Sequence, residues 1–322
     1  MHHPLTGPLF GALALACAPN LLAAQPVLHW PVDCTLGQTC FIEDYVDADP
    51  TKGRQGDFAC GINSRDGHRG TDIALLSFDE IAEGVAVRAS APGRVSRIRD
   101  SMPDDRLMRG VTSQTACGNA VLVDHGDGWQ TLYCHLRLGS VVVAVGQQVE
   151  AGDRLGMVGL SGQTNHPHLH LTVLKDGEVV DPFDPDPDQT CGPVQDTLWA
   201  ETPDYYRTGL VTAGFSDHVP TLEDVRTGAA RRDAGAPDAP LVVYAHIGYG
   251  ENGDVLEIEA SGPDGQIFER SILIKDPQAS VMRAFGKKAP PGGWSSGEYL
   301  GEATLIRDGR VIAHRFAHVT VE

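Results

Sequence analysis

Short runs of alternating or β-branched residues, cut by Gly, Asp and Asn, dominate this chain and leave no stretch with a helical apolar period. Side chains on a strand alternate faces with period two, so such runs read as strands joined by tight turns. A first series covers 85–89, 93–98, 120–124, 130–136, 140–145 and 169–174, with turns at Asp127-Gly128 and Asp176-Gly177. A second covers 241–247, 255–260, 266–274, 297–306 and 311–321, with turns at Pro263-Asp264-Gly265 and Arg307-Asp308-Gly309. The expected fold class is mainly β: an antiparallel sheet domain followed by a small C-terminal β-sandwich-like domain.

The 322 residues are enough for two such domains. Residues 1–24 read as a signal peptide: the apolar run 9–18 is too short to span a bilayer, and Ala23-Ala24 offers small residues for cleavage. Its front end carries His2 and His3 but no Lys or Arg. The mature chain is then exported, periplasmic or secreted, with no transmembrane span. Ala14-Leu15-Ala16-Cys17 resembles a lipoprotein box with Ala14 where a large aliphatic residue is usual, so anchoring at Cys17 is the lesser alternative. Residues 25–59 form a Cys-, Asp- and Gly-rich lead-in, 60–195 the first β domain, 196–240 a connecting segment and 241–322 an accessory domain.

Of seven cysteines, six remain after Cys17 is removed with the leader, which in an exported chain favours up to three disulfides. Cys34 and Cys40 are close enough to close a small loop; the other pairings stay open. The absence of a CxxC pair argues against a cysteine-based structural zinc site. A formal net charge of −18 argues against nucleic acid as a partner, because phosphate neutralisation needs clustered cations, and is most simply a solubility feature. Asp44 to Asp49 lacks the Gly and terminal Glu of an EF-hand loop and reads as a solvated acidic loop.

Three short motifs carry chemistry together: His68-Arg69-Gly70-Thr71-Asp72, Thr131-Leu132-Tyr133-Cys134-His135-Leu136 and His166-Pro167-His168-Leu169-His170-Leu171-Thr172-Val173. Strand alternation puts His168, His170 and Thr172 on one face and Leu169, Leu171 and Val173 on the apolar other. Two imidazoles about 7 Å apart along a strand can reach one common centre. In the second motif alternation groups Thr131, Tyr133 and His135, and turns Cys134 away toward a disulfide or the core. His and Asp supply the nitrogen and oxygen ligands that Zn²⁺ accepts, and a catalytic zinc keeps three protein ligands plus a water. His125 is expected to be structural or exposed, and His314 and His318 to be scattered surface or packing residues. No G-x-S-x-G elbow, Walker loop or HExxH helix occurs.

These motifs resemble the lysostaphin/LytM peptidases, family M23, whose pattern is an HxxxD element, a YxHL-type element and an HxH element in that order. The flanks agree: Gly118 to Gly126 is similar to the family's strand before the central histidine, and Ala91-Pro92-Gly93-Arg94-Val95 to its A-x-x-G-x-V turn. Gly146-Gln147-Gln148-Val149 and Gly156-Met157-Val158-Gly159 are similar to its glycine-punctuated hairpins. The likeness covers roughly residues 60 to 182, about 40% of the chain. It implies that His68, Asp72 and His170 ligate zinc, and that His135 and His168 orient the attacking water and stabilise the oxyanion. Asn165-His166 replaces the usual Thr-Gly, Leu171 stands where Phe is common and Thr172 where Glu is common. These departures are expected at the rim of the groove, where they bear on substrate preference.

The implied activity is a zinc-dependent metalloendopeptidase cutting peptide cross-links of peptidoglycan. Because the chain is acidic, an anionic wall polymer would have to be held through local pockets. The rival is a non-catalytic LytM-like binding protein that activates another wall hydrolase; such members typically lack zinc ligands, whereas all five positions are filled here. A peptidase acting on elastin-like proteins would share the centre. The C-terminal domain is a candidate for docking wall polymer or a partner, or for occluding the groove.

Overall fold

A computed structural model describes residue 1 and residues 25–76, 79–164, 166–186, 191–192 and 196–322. The expected leader, with Cys17, lies outside the described residues apart from Met1, and so does Asn165. Among the described residues no helix is long and apolar enough to cross a membrane.

The first half contains β1 (Cys40–Asp44), β2 (Thr71–Leu75), the short helix α1 (Asp79–Glu83), β3 (Ala86–Arg88), β4 (Gly93–Arg99), β5 (Asn119–Gly126) and β6 (Trp129–Leu136). It continues with β7 (Gln148–Val149), β8 (Arg154–Met157), β9 (His168–Lys175) and β10 (Glu178–Val180). The second half contains β11 (Gly209–Ser216), α2 (Leu222–Thr227), β12 (Ala234–Gly235), β13 (Leu241–Gly250), β14 (Val255–Gly262) and β15 (Gly265–Leu273). β16 (Gln278–Lys287), β17 (Gly297–Arg307) and β18 (Arg310–Val321) complete it.

The molecule is mainly β. One antiparallel sheet runs β1-β2-β9-β6-β5-β4-β7, with β10 paired to β9, so β2, β9 and β6 lie side by side although far apart in sequence. Three of the hairpins turn on Asp-Gly pairs. Asp127-Gly128, Asp176-Gly177 and Asp308-Gly309 all have φ > 0 at both residues, the type I′ geometry whose twist matches the flanking strands. One face of this sheet buries Ile73, Val121, Val123, Tyr133, Leu169, Leu171 and Val173 in a continuous core. Cys34–Cys40, Cys60–Cys191 and Cys117–Cys134 form disulfides, the last two joining segments that strand periodicity cannot pair.

The second half has its own core, built on Phe215, Val243, Ile258, Leu305 and Val319 among others. Around it stand a three-stranded sheet, β11-β13-β16, and a five-stranded one, β12-β18-β17-β14-β15. Residues 209–216 sit within the stretch read from sequence as a connector, yet they form β11 and hydrogen-bond along β13. Their Gly and Ala content hides the strand: Gly214 lies so close to the Tyr244 hydroxyl that a Cβ would fall 2.2 Å from it. The expected strand at 140–145 does not form. Val141 N–H is taken by the Asp100 carboxylate and only Val142 N–H reaches the Leu155 carbonyl, so no ladder is built.

Candidate metal centre

The three motifs meet on the sheet face opposite the core. Asp72 on β2 lies directly across from His170 on β9, and His170 lies across from Cys134 on β6. Cross-strand neighbours stand about 5 Å apart, so residues roughly a hundred positions apart in sequence converge without a special loop. His68 enters just before β2. The β9 alternation is as the motif suggests: Leu169 and Leu171 are fully buried on the core side, and His168 and His170 face the site.

His68, Asp72 and His170 form a group whose potential ligand atoms all lie within 4.8 Å of one another. His68 Nε2 is 3.2 Å from His170 Nδ1 and 3.1 Å from Asp72 Oδ2, and His170 Nδ1 is 2.7 Å from Asp72 Oδ1. Ligands around a tetrahedral zinc at about 2.1 Å stand roughly 3.4 Å apart, so small outward shifts would admit the ion and leave a fourth position open. The tautomers agree. His68 Nδ1–H donates to the Tyr45 carbonyl at 2.7 Å, freeing Nε2, and His170 Nε2–H donates to Thr172 Oγ1 at 3.0 Å, freeing Nδ1.

Glycine at position 70 is a steric requirement. A Cβ there would lie 2.7 Å from His170 Nε2 and 2.6 Å from the Leu171 carbonyl oxygen, so any side chain would push the ring out of place.

His135 and His168 stand beside the group, their ring centroids 4.7 Å apart. His135 Nδ1–H donates to the Ser161 carbonyl at 2.8 Å and His168 Nδ1–H to the His166 carbonyl at 2.9 Å, so each carries its lone pair on Nε2. His168 Nε2 points at Asp72, 3.6 Å from Oδ1. Alternation misplaces His135. Tyr133 is buried in the core with its hydroxyl accepting from Ser90 N–H, whereas Leu132 and Cys134 line the groove. The register moves from Val121–Tyr133 to Asn119–Leu136, so β6 gains one residue over β5. His135 takes up this bulge at φ 61°, which swings its ring onto the site face. Cys134 is in a disulfide rather than free in the core; its partner, which the sequence left open, is Cys117, and the bond lies on the site side of the sheet.

Burial opposes the charge on Asp72, but the His68, His168 and His170 rings outweigh it and hold the carboxyl well below its ordinary range. Burial likewise opposes a charged His68, yet Asp72 raises it above the usual imidazole value. Burial pushes His135 well down, helped by His168 and His170, and it lowers His168 and His170 against the pull of Asp72. The centre therefore combines an ionised carboxylate with His135, His168 and His170 biased toward the neutral form and a His68 that Asp72 biases toward its protonated form, a proton that a divalent ion would have to displace.

The site opens into a groove of about 740 Å³ that also takes in Arg65, Gln163, Thr172 and Leu174. Arg65 escaped the motif reading, since a lone Arg three residues before a histidine has no pattern of its own. Its guanidinium pairs with Asp72 and, at 2.6 Å, with Asp44. Thr172 is not at a rim: it is buried and holds His170. Nor does His166 face the groove. It is buried, donates from Nε2 to the Leu75 carbonyl at 2.8 Å and stacks on Phe316 of β18 at 3.6 Å. His125 is tied to the Pro92 carbonyl and to Thr131, a structural role. His314 is buried against Phe41 and Phe316, a packing residue.

Residues 66–182 match the profile of Peptidase family M23. The chain is 37% identical over 106 residues to the cell division protein DipM of Caulobacter vibrioides, covering 31% of this chain and 15% of that protein. It is 31% identical over 113 residues to the peptidoglycan DD-endopeptidase ShyA of Vibrio cholerae, covering 35% of this chain and 21% of ShyA. It is also 35% identical over 101 residues to the murein hydrolase activator EnvC of Escherichia coli, covering 31% of this chain and 20% of EnvC. The chain thus spans about a fifth or less of the length of these relatives.

Proposed function

We propose, from the match of residues 66–182 to peptidase family M23, that this chain is a zinc-dependent metalloendopeptidase that hydrolyses peptide cross-links of bacterial peptidoglycan. The observation that carries the reading is the convergence of His68, Asp72 and His170 within 4.8 Å, beside two further histidines with inward-facing lone pairs. His68, Asp72 and His170 are the proposed ligands. Zinc held there supplies Lewis acidity toward a carbonyl and lowers the pKa of a water. His135 and His168 do the proton work. Each is neutral and offers Nε2, so each accepts a proton in the groove; once protonated, the same nitrogen donates to negative charge developing on the scissile carbonyl. Their Nδ1–H bonds to fixed carbonyls hold both rings in that orientation. The open groove beside them suits a short, extended peptide. On this reading the chain works after export, in the periplasm or outside the cell, where its disulfides persist.

A second reading is supported by the likeness to EnvC: a non-catalytic protein that binds and activates another wall hydrolase. The five filled His and Asp positions favour the enzyme. The test is metal analysis of the purified chain together with release of fragments from labelled peptidoglycan. The wild type is expected to hold one zinc and cleave, and His68→Ala to lose both. Zinc retained with no turnover on any wall peptide would transfer the case to the activator.

A further inference from the structure

The C-terminal half reaches the proposed metal centre through a chain of charged contacts. Arg315 on β18 forks onto the end of β1: Nη1 donates to Glu43 Oε1 at 3.0 Å and Nη2 to Asp44 Oδ1 at 2.9 Å. The other oxygen of Asp44 takes Arg65 Nε at 2.6 Å, and Arg65 Nη2 donates to Asp72 Oδ2. Three links therefore join a residue of the second half to a proposed zinc ligand. Asp44 and Asp72 are almost wholly buried, so each carboxylate must be matched by fixed donors. Arg65, by contrast, has a side chain 56% exposed in the groove. An exposed arginine samples many rotamers unless a partner fixes it, and here that partner is Asp44, held in turn by Arg315.

Packing points the same way. Phe316, next to Arg315, stacks on His166, which sits two residues before His168 and whose carbonyl holds the His168 ring. Position 166 is where the sequence departs from the Thr-Gly of the M23 pattern, and its imidazole is what Phe316 covers. A cavity of about 350 Å³ between the halves is lined by Arg65, Gln163 and His168 from one side and Thr212, Arg315 and Phe316 from the other. The first three also line the main groove, so the second half is a wall of the site.

We infer that Arg315 is a positioning residue for the metal centre: acting through Asp44 and Arg65, it sets the orientation in which Asp72 meets the ion, which makes the C-terminal half an integral part of the site. This rests on the zinc reading above, but its test does not need turnover. Groups hydrogen-bonded to metal ligands typically change metal affinity by about 10- to 100-fold when removed.

The experiment uses the full chain and two readouts: zinc affinity by competition with a chromophoric chelator, and the visible spectrum of the cobalt(II)-substituted protein. Asp44→Asn keeps shape and packing, and Arg315→Met combined with Glu43→Gln keeps the local charge balanced. Each is expected to weaken zinc binding about tenfold and to shift the cobalt bands, with all three changes together no worse than the larger effect. Arg315→Lys should recover much of the loss. Arg310→Ala removes the contact of another β18 arginine, the one to Asp204 at 3.0 Å, and should leave both readouts unchanged. If the paired variant fails to fold, Asp44→Asn decides the matter. The inference is overturned if Asp44→Asn binds zinc like the wild type with an unaltered cobalt spectrum, or if Arg310→Ala weakens binding equally. A wild type that binds no zinc would instead remove the zinc reading itself.

Discussion

At the scale of single residues, the centre depends on atoms too small to draw notice. Gly70 has no side chain because the His170 ring occupies the space a Cβ would need. Gly70→Ala should therefore tilt that imidazole and weaken zinc binding at least tenfold, with little loss of secondary structure. Equal zinc affinity in the variant, measured by chelator competition, would show that the ring has room to spare. The residues that converge were legible because His and Asp in an HxxxD and an HxH element are themselves the donor types a metal accepts. Their supports were not. Tyr45 and Ser161 act through backbone carbonyls, which leave no signature in side-chain identity, and Arg65 needs Asp44 and Asp72 beside it before its role has meaning.

Among the elements, β6 shows where period-two reasoning stops. Alternation correctly sets His168 and His170 of β9 on one face, since that strand pairs in unbroken register with both β2 and β6. A bulge shifts the phase by one residue, and the residue that carries it, His135 at φ 61°, is the one whose ring must turn toward the site. A left-handed conformation costs a non-glycine residue about 1–2 kcal/mol, so neighbouring bonds have to maintain it. His135 N–H donates to the Cys117 carbonyl at 2.9 Å, and Cys117 is bonded to Cys134, the residue before His135. Replacing both cysteines with serine should remove about 3 kcal/mol of stability. It should also lower kcat more than zinc content, because His135 loses its anchor while the three proposed ligands keep theirs. Unchanged kcat in a folded, zinc-loaded double variant would detach the bulge from catalysis. Cys34–Cys40 was readable from spacing alone; Cys60–Cys191 spans 131 residues and needed the fold.

For the molecule as a whole, burial of several imidazoles ties stability to pH. His135, His166, His168 and His170 are all lowered from 6.5, burial being the first cause in each. An unfolded chain binds protons at these positions below 6.5 when the metal-free fold does not, so their contribution is present above that value and lost as pH falls. His68 is raised and works the other way, its contribution being complete below 6.5 and lost as pH rises through its folded value. His125 and His246 are lowered by burial too, whereas burial raises the Asp181 carboxyl to about 7, so its contribution is lost as pH rises, as for His68. Six lowered imidazoles outnumber these two opposing groups, and the metal-free protein should have a lower denaturation midpoint near pH 5.5 than near pH 7.5; an equal or higher midpoint in acid would contradict the neutral, buried state of these rings. The two-part β architecture was legible from strand spacing and Asp-Gly turns, while the docking of β18 against the first half was not, because Arg315, Phe316 and His166 become partners only in space. The most direct measurement is anomalous diffraction at the zinc edge from crystals of the metal-loaded chain. The account predicts one peak about 2.0–2.2 Å from His68 Nε2, His170 Nδ1 and an Asp72 oxygen. Zinc bound elsewhere, or no ion between those three side chains, would contradict it.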